Sequence, residues 1–487
     1  MIFTVAGLRL NFDRLNFDRV VWLIVGLLGV TITLVALFSE PPAVRVAAVL
    51  PHADAEAVST RAAIVVGFDQ PVTVPPDSVL VRLDPPVNGT LRVAEDRVTF
   101  VPAQGLTPNT TYTVTVDGAL RGPQGGGLAA PYVWHFATGD LQVLFSSLDA
   151  DNREQLSVVP VTLDGFAPAA NTPTDALLPE SRRLTGAPFG IWDFGVDAAS
   201  GRIVFSQLSE TATSDLWLLE PGAPQPELLL SCPEAACGGA VFSPDGRFLA
   251  YSQRNASEFG VPVISPPRLR LMDMATRETY PIFSDSQQLA FEPRWSGDSQ
   301  WLSFIAPDSN AIGIFNVEDG RSEFYPSTTG EAASWQPNSN RFVMSEMLLT
   351  TGEAGDQYEV HMYLVDAVTG AYTDLSVHEF PVEDNGPAWS PDGEWLAFRR
   401  KELAGPRESL SKQLWRMRAD GSAAEPLTIA PDFDYGPPQW SPDGRYLLYH
   451  KYPLRGPDIE ISTWILDVET GTEHPIARPA QRPVWVP

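Results

Sequence analysis

The sequence predicts an all-β protein: a small β-sandwich, then a seven-bladed β-propeller closed by its own C-terminal strand, with one transmembrane helix ahead of both. Three observations predict it. A unit best preserved as Trp440-Ser441-Pro442-Asp443-Gly444-Arg445-Tyr446-Leu447-Leu448-Tyr449 recurs through the C-terminal two thirds, with near copies at 389–398 and 242–251. The 45 prolines and 37 glycines are spread along the chain, as many short strands joined by turns require. Residues 20–38 form an uncharged apolar run.

The repeat sets the ring. Self-similarity every 40–55 residues in alternating apolar and polar segments is the sequence form of a propeller. In each unit the aromatic ends one strand, and Ser-Pro-Asp-Gly makes a tight turn, because Pro presets φ, Asp bonds locally and Gly accepts positive φ. A return strand and two further strands complete four per unit. The anchors are Phe194, Phe242, Trp295, Trp335, Trp389, Trp440 and Trp485, and the last unit stops where its return strand should begin. The missing pieces stand at the other end of the region, in 141–147, 156–162 with Leu163-Asp164-Gly165, and Arg183-Leu184. The C-terminal strand is therefore expected to complete a blade begun near residue 140, which removes two exposed sheet edges. Over residues 140–487 these units resemble the WD40-like repeat of TolB-type propellers. Propellers of that type have six blades, so the expected seven departs from it.

Ahead of the ring, residues 43–139 read as a separate small β-domain, with strand-like runs at 63–68, 79–83, 97–100, 112–116 and 133–136. Leu106-Thr107-Pro108-Asn109-Thr110-Thr111-Tyr112 and Trp134-His135-Phe136-Ala137-Thr138-Gly139 resemble late-strand signatures of bacterial Ig-like domains. The resemblance implies that the Tyr112 hydroxyl bonds back to the turn before it. Gly139-Asp140 leaves almost no linker, so the two domains are expected to be fixed against each other.

Residues 20–38 would span about 30 Å as a helix, the thickness of a bilayer core. A cleaved signal peptide has a shorter apolar region. Arg9, Arg14 and Arg19 precede the run, so residues 1–19 are expected to be a cytoplasmic tail and the bulk of a single-pass membrane protein to lie outside the cytoplasm.

Charge limits the partners. With 33 basic and 60 acidic residues the net charge is -27, which repels phosphate backbones and anionic membrane faces, so no nucleic acid is expected. The two cysteines, Cys232 and Cys237, form either a short disulfide loop or two free thiols; two thiols without a nearby His make only half a zinc site.

Neither a Gly-x-Ser-x-Gly motif nor an α/β pattern to carry it is present. The six histidines, His52, His135, His361, His378, His450 and His474, fall at different phases and are not expected to converge on a metal. Asp149-Ala150-Asp151-Asn152 with Glu154 has calcium-like spacing, but it stands where a blade needs a turn. No cofactor and no catalytic residue is expected. The candidate binding residues lie just before the innermost strands: Glu292, Arg294, Glu331, Asp384, Asn385, Asp434, Tyr435 and Arg482. Aligned by the repeat they gather at one end of the channel as a largely acidic rim with aromatic anchors. The expected function is a membrane-anchored scaffold that recognises a protein or glycan of the cell envelope. The alternative is a carbohydrate-active lyase or hydrolase with its site in the channel.

Overall fold

The computed structural model describes residues 2–486 apart from 6–7, 12–20, 31–42, 162–177, 256–264, 456–460 and the short loop positions 59, 61, 76–78, 95, 104, 118–119, 212, 286, 338 and 353–354. The expected Leu163-Asp164-Gly165 turn lies outside the described residues, as does most of the N-terminal tail.

Near the N-terminus Ile2–Val5 pairs with Leu8–Asn11 as a short hairpin, and residues 21–30 form a helix. Ten residues at 1.5 Å each reach about 15 Å, half of a hydrocarbon core. Among the described residues no helix is long and apolar enough to cross a membrane. This corrects the expected span over 20–38, and with it the single-pass location; residues 31–38 of that run are outside the described set.

From Val44 onward the described residues form β-strands and their connections. Two four-stranded sheets make the first domain. One orders Ala55–Val58, Tyr132–Thr138, Thr111–Val116 and Val81–Asp84; the other orders Val46–Leu50, Ile64–Phe68, Arg97–Pro102 and Gly89–Ala94. Alternation along Thr111–Val116 sends Tyr112, Val114 and Val116 inward, where they meet Ile64, Val66, Val98, Trp134 and Phe136. The Tyr112 hydroxyl accepts the Thr107 N–H at 2.9 Å, which pins the turn ahead of its strand.

The remaining sheets follow one plan: an innermost strand, a tight turn, then three strands progressively further out. The innermost strands that end at aromatic anchors include Ala235–Phe242, Phe291–Trp295, Val382–Trp389 and Gln439–Trp440. In each conserved turn the serine ties both ends. At 441–446 its Oγ accepts the Tyr446 N–H at 2.9 Å and donates to Asp443 at 2.5 Å, while Gly444 takes φ 74°. Ser243, Ser296 and Ser390 make the same pair of bonds.

The anchors do more than pack. Each indole N–H donates to the carbonyl just before the preceding anchor: Trp295 to Val241, Trp335 to Arg294, Trp389 to Ser334, Trp440 to Ala388 and Trp485 to Gln439, at 3.0–3.3 Å. Phe242 and Phe194 have no such donor. At the C-terminus Gln481–Val486 pairs antiparallel with Gln142–Leu148, Trp485 opposite Val143. Two neighbouring pairs of sheets are also joined by parallel bridges, Ser214 with Ala236 and Val360 with Glu383.

Strand direction defines two ends. The innermost strands begin at the rim end, and the Ser-Pro-Asp-Gly turns lie at the opposite, turn end. The first domain abuts the turn end, where the Gly105 N–H donates to the Pro442 carbonyl at 2.8 Å. The Asn109 amide bonds Asp140 across the join. Cys232 and Cys237 are linked as a disulfide.

Candidate functional site

Innermost strands carry a β-bulge at one level. The residue three before the anchor takes a left-handed conformation in Gly239, Glu292, Gly386 and Arg482 (φ 60°, 54°, 62° and 50°), and the ladder registers shift beside it. Bulges re-aim side chains, and non-glycine residues in this region concentrate at functional positions. Glycine fills the bulge in two units; a charged side chain fills it in the other two.

Arg482 and Glu292 belong to a first cluster. Arg482 is paired with Glu154, donates to the Trp192 carbonyl at 2.6 Å, lies 3.8 Å from Asp193 and sits 5.5 Å over the Phe194 ring. Glu292 is 3.0 Å from Arg294. Burial, reinforced by the Glu292 charge, pushes the Asp193 carboxyl above its ordinary range against the pull of the Phe194 N–H, Arg482 and the Gly239 N–H. Asp193 therefore faces both a second carboxylate and a guanidinium.

A second cluster centres on Glu331. Its carboxylate meets Arg399 at 3.3 Å and accepts the Ser345 hydroxyl at 3.1 Å and the Gly386 N–H at 3.2 Å. Asp434 accepts the Lys412 backbone N–H at 2.8 Å and the Tyr452 hydroxyl at 2.5 Å. Lys412 is 3.8 Å from Glu383. Burial first, then the Arg399 charge, holds the Lys412 amine and the His450 imidazole below their ordinary values.

Three of the eight candidates are enclosed. Asp384 is fully buried in a forked pair with Arg400, Tyr435 is buried against Tyr449 at 5.5 Å between ring centres, and Asn385 is 7% exposed with no partner for its Oδ1. The other five stand at the rim. Besides the expected Arg294 and Arg482, Arg399 and Lys412 also face its carboxylates. Arg399 comes from a second strand and Lys412 from the residue just ahead of a third strand, away from the segments where the repeat pointed. Asp193 and Glu154 were missed as well. Asp193 immediately precedes the anchor Phe194, a position the alignment could have flagged. Glu154 belongs to the segment read as a turn, and Asp149 does cap that turn by accepting the Asp151 and Arg153 N–H groups.

His135 lies on the first domain beside Thr113, and His361 is bonded to Asp374 at 2.8 Å. Among the described residues no three His, Cys, Asp or Glu side chains are grouped to hold a metal.

Residues 263–477 match the family described as the TolB beta propeller domain, and residues 39–138 match the bacterial Ig-like domain. An uncharacterized protein of Agrobacterium fabrum, Atu1656, is 27% identical over 187 residues, 34% of this chain and 57% of that protein, so the match spans a little over half of the relative's length. A puromycin-hydrolyzing peptidase of Mycobacterium tuberculosis superposes with a TM-score of 0.48 at 16% identity, covering 72% of this chain and 55% of the peptidase. TolB from Acinetobacter baumannii gives 0.40 at 13% identity, covering 82% of each chain. With the serine-tied turns, the indole ladder and the two-sheet sandwich, the family matches lead to one statement: the chain carries a bacterial Ig-like domain followed by a TolB-type β-propeller domain.

Proposed function

We propose that residues 141–486 form a seven-bladed propeller, closed where Gln481–Val486 pairs with Gln142–Leu148, and that its rim end recognises a protein or glycan without catalysing a reaction. One observation carries this reading. The large apolar side chains left in solvent cluster at the rim end: Leu148, Phe189, Val377, Leu410, Ile429 and Leu454 all occupy its loops, and Val377, Leu410 and Ile429 are each about four-fifths exposed. Leu228, Tyr280, Phe324 and Tyr372 lie on outermost strands, and at the turn end Val368 alone is so exposed among the described residues. Exposed apolar side chains gathered at one end, beside paired charges, are the composition of a recognition surface. The Ig-like domain abuts the turn end and leaves the rim end clear.

The test is capture of partners from a lysate of the native cell by the full chain, comparing wild type with Leu410→Asp/Ile429→Asp and with Glu331→Lys. Equal capture by all three would remove the rim end from the reading. Asp384 is unsuitable for charge reversal, because its carboxylate is structural.

A second reading, a carbohydrate lyase or hydrolase, is favoured by Asp193, whose raised carboxyl faces Glu292 and Arg482 as an acid–base pair would. On that reading Asp193→Asn abolishes turnover of a polysaccharide panel and leaves partner capture intact. Absence of turnover by the wild-type chain on any polysaccharide removes it.

A further inference from the structure

The hairpin of Arg341–Gly352 and Gly355–Asp366 is the long element of the propeller, 12 residues in each strand against six to eight in the second and third strands of the other sheets. Its register runs unbroken from Arg341 opposite Asp366 to Gly352 opposite Gly355. The innermost strand beside it, Ser334–Trp335, pairs only with Val343 and Phe342. The hydroxyls of Ser327 and Thr329 extend the contact one step by donating to the Ser345 carbonyl at 2.7 and 3.2 Å. Beyond that point Met347 to Thr351 pair only with their hairpin partners among the described residues, so the inner edge stands open above the rim. Five residues offer about 17 Å of unpaired backbone.

Four further observations indicate what this edge receives. The other side of the hairpin is fixed, since Val360 bridges Glu383 and the Val382 N–H donates to Glu359 at 3.4 Å. Leu349 and Tyr358, cross-strand partners, and Met347 two residues away give the hairpin one apolar face, 55, 63 and 42% exposed. Native edges are usually blunted by lysine, proline or a bulge; this hairpin has none of these. Between Phe342 and Val365 the hairpin segment holds Glu346, Glu353, Asp356 and Glu359 and neither Lys nor Arg. A second copy of the chain would set two such acidic edges side by side, a repulsive arrangement. A cationic strand is attracted.

We propose that the Met347–Thr351 edge binds an extended segment of a partner protein in which basic and apolar residues alternate, added as a further strand with its apolar side chains on Met347, Leu349 and Tyr358. The proposal rests on the binding reading above and specifies the chemistry of its partner. Main-chain bonds supply affinity in this mode, and alternate side chains supply selectivity.

The probe is a fluorescent peptide alternating Lys and Val, titrated against the full chain by anisotropy. Two analogues carry N-methyl groups on alternate amides, one in each frame. Binding is expected to saturate, to weaken about tenfold or more in one methylated frame only, and to weaken equally with Leu349→Lys. A peptide alternating Glu and Val should not bind. Leu349 is exposed, so the variant should keep the wild-type melting curve; Tyr358→Lys is the second variant if it does not. No saturable binding, equal behaviour of the two methylated frames, or wild-type affinity in both variants overturns the proposal. So does a dimer in sedimentation that Leu349→Lys dissolves, because a second copy would then be the occupant. If partner capture survives Leu349→Lys and fails in Leu410→Asp/Ile429→Asp, the edge proposal falls while the wider binding reading stands.

Discussion

Removing either member of the Asp384–Arg400 pair should destabilise the propeller severely, whereas replacing both should not. The guanidinium meets the carboxylate at two points, Nε to Oδ1 at 2.7 Å and Nη2 to Oδ2 at 2.6 Å, with side chains 2% and 0% exposed. It also lies over the rings of Phe398 at 5.2 Å and Trp415 at 4.9 Å. Asp384→Ala leaves a cation with no counter-charge in that enclosure, at a cost of about 3–5 kcal/mol; Arg400→Met strands the carboxylate at a similar cost. In Asp384→Leu/Arg400→Met no charge is buried, and the expected change runs from about zero to about 1–4 kcal/mol of added stability. The interaction energy of the cycle should therefore be large and favourable. Urea unfolding followed by tryptophan fluorescence measures all four proteins, provided the slopes agree. A single-variant cost below about 1 kcal/mol would refute the burial argument, as would a double variant as unstable as the two singles summed.

Trp440→Phe keeps an aromatic wedge but removes the N–H that reaches the Ala388 carbonyl, so it should cost about 1–2 kcal/mol in the same assay, and Phe242→Leu should show no such hydrogen-bond component. A Cβ on Gly105 would stand 2.3 Å from the Pro442 carbonyl oxygen. Gly105→Ala should therefore loosen the Ig-like domain from the propeller, seen as faster proteolysis at Gly139-Asp140 with an unchanged propeller melt. The His361 contribution to stability depends on pH. Its bond to Asp374 raises the imidazole above its ordinary 6.5, so that contribution is complete below pH 6.5 and lost as pH rises through the raised value. Burial alone would raise Asp374 and Glu359, yet the bonds they accept, His361 among the donors, outweigh it and hold them below 3.8 and 4.5. Their contribution is present above those values and lost as pH falls through the lowered ones. His361→Gln should flatten the decline in urea midpoint above pH 6.5, and an unchanged profile would show that the contact is not made in solution.

The turns and anchors were legible because their chemistry is local. Ser441 bonds Asp443 and Tyr446 within six residues, and the positive φ of Gly444 is what a glycine at that place predicts. The Tyr112 bond was legible for the same reason. The rim was only half legible. Repeat alignment identified Glu292, Arg294, Glu331, Asp434 and Arg482, but not Arg399 and Lys412, which reach the carboxylates from positions with no shared motif. Nor could it separate neighbours: Arg399 turns to Glu331 at the rim while Arg400 turns inward to Asp384, since successive strand residues face opposite sides. The expected span over 20–38 is not supported, because the described helix covers residues 21–30 and no helix among the described residues is long and apolar enough to cross a membrane.

By itself the sequence determined the all-β class, the four-stranded repeat and the positions where the chain must turn, for these follow from residue-by-residue preferences of φ, hydrogen bonding and alternation. Only the tertiary structure decided which charges meet, which carboxylate is buried beyond reach and which hairpin edge has no strand partner among the described residues. Those outcomes depend on how sheets distant in sequence are brought side by side, and no local preference encodes that distance.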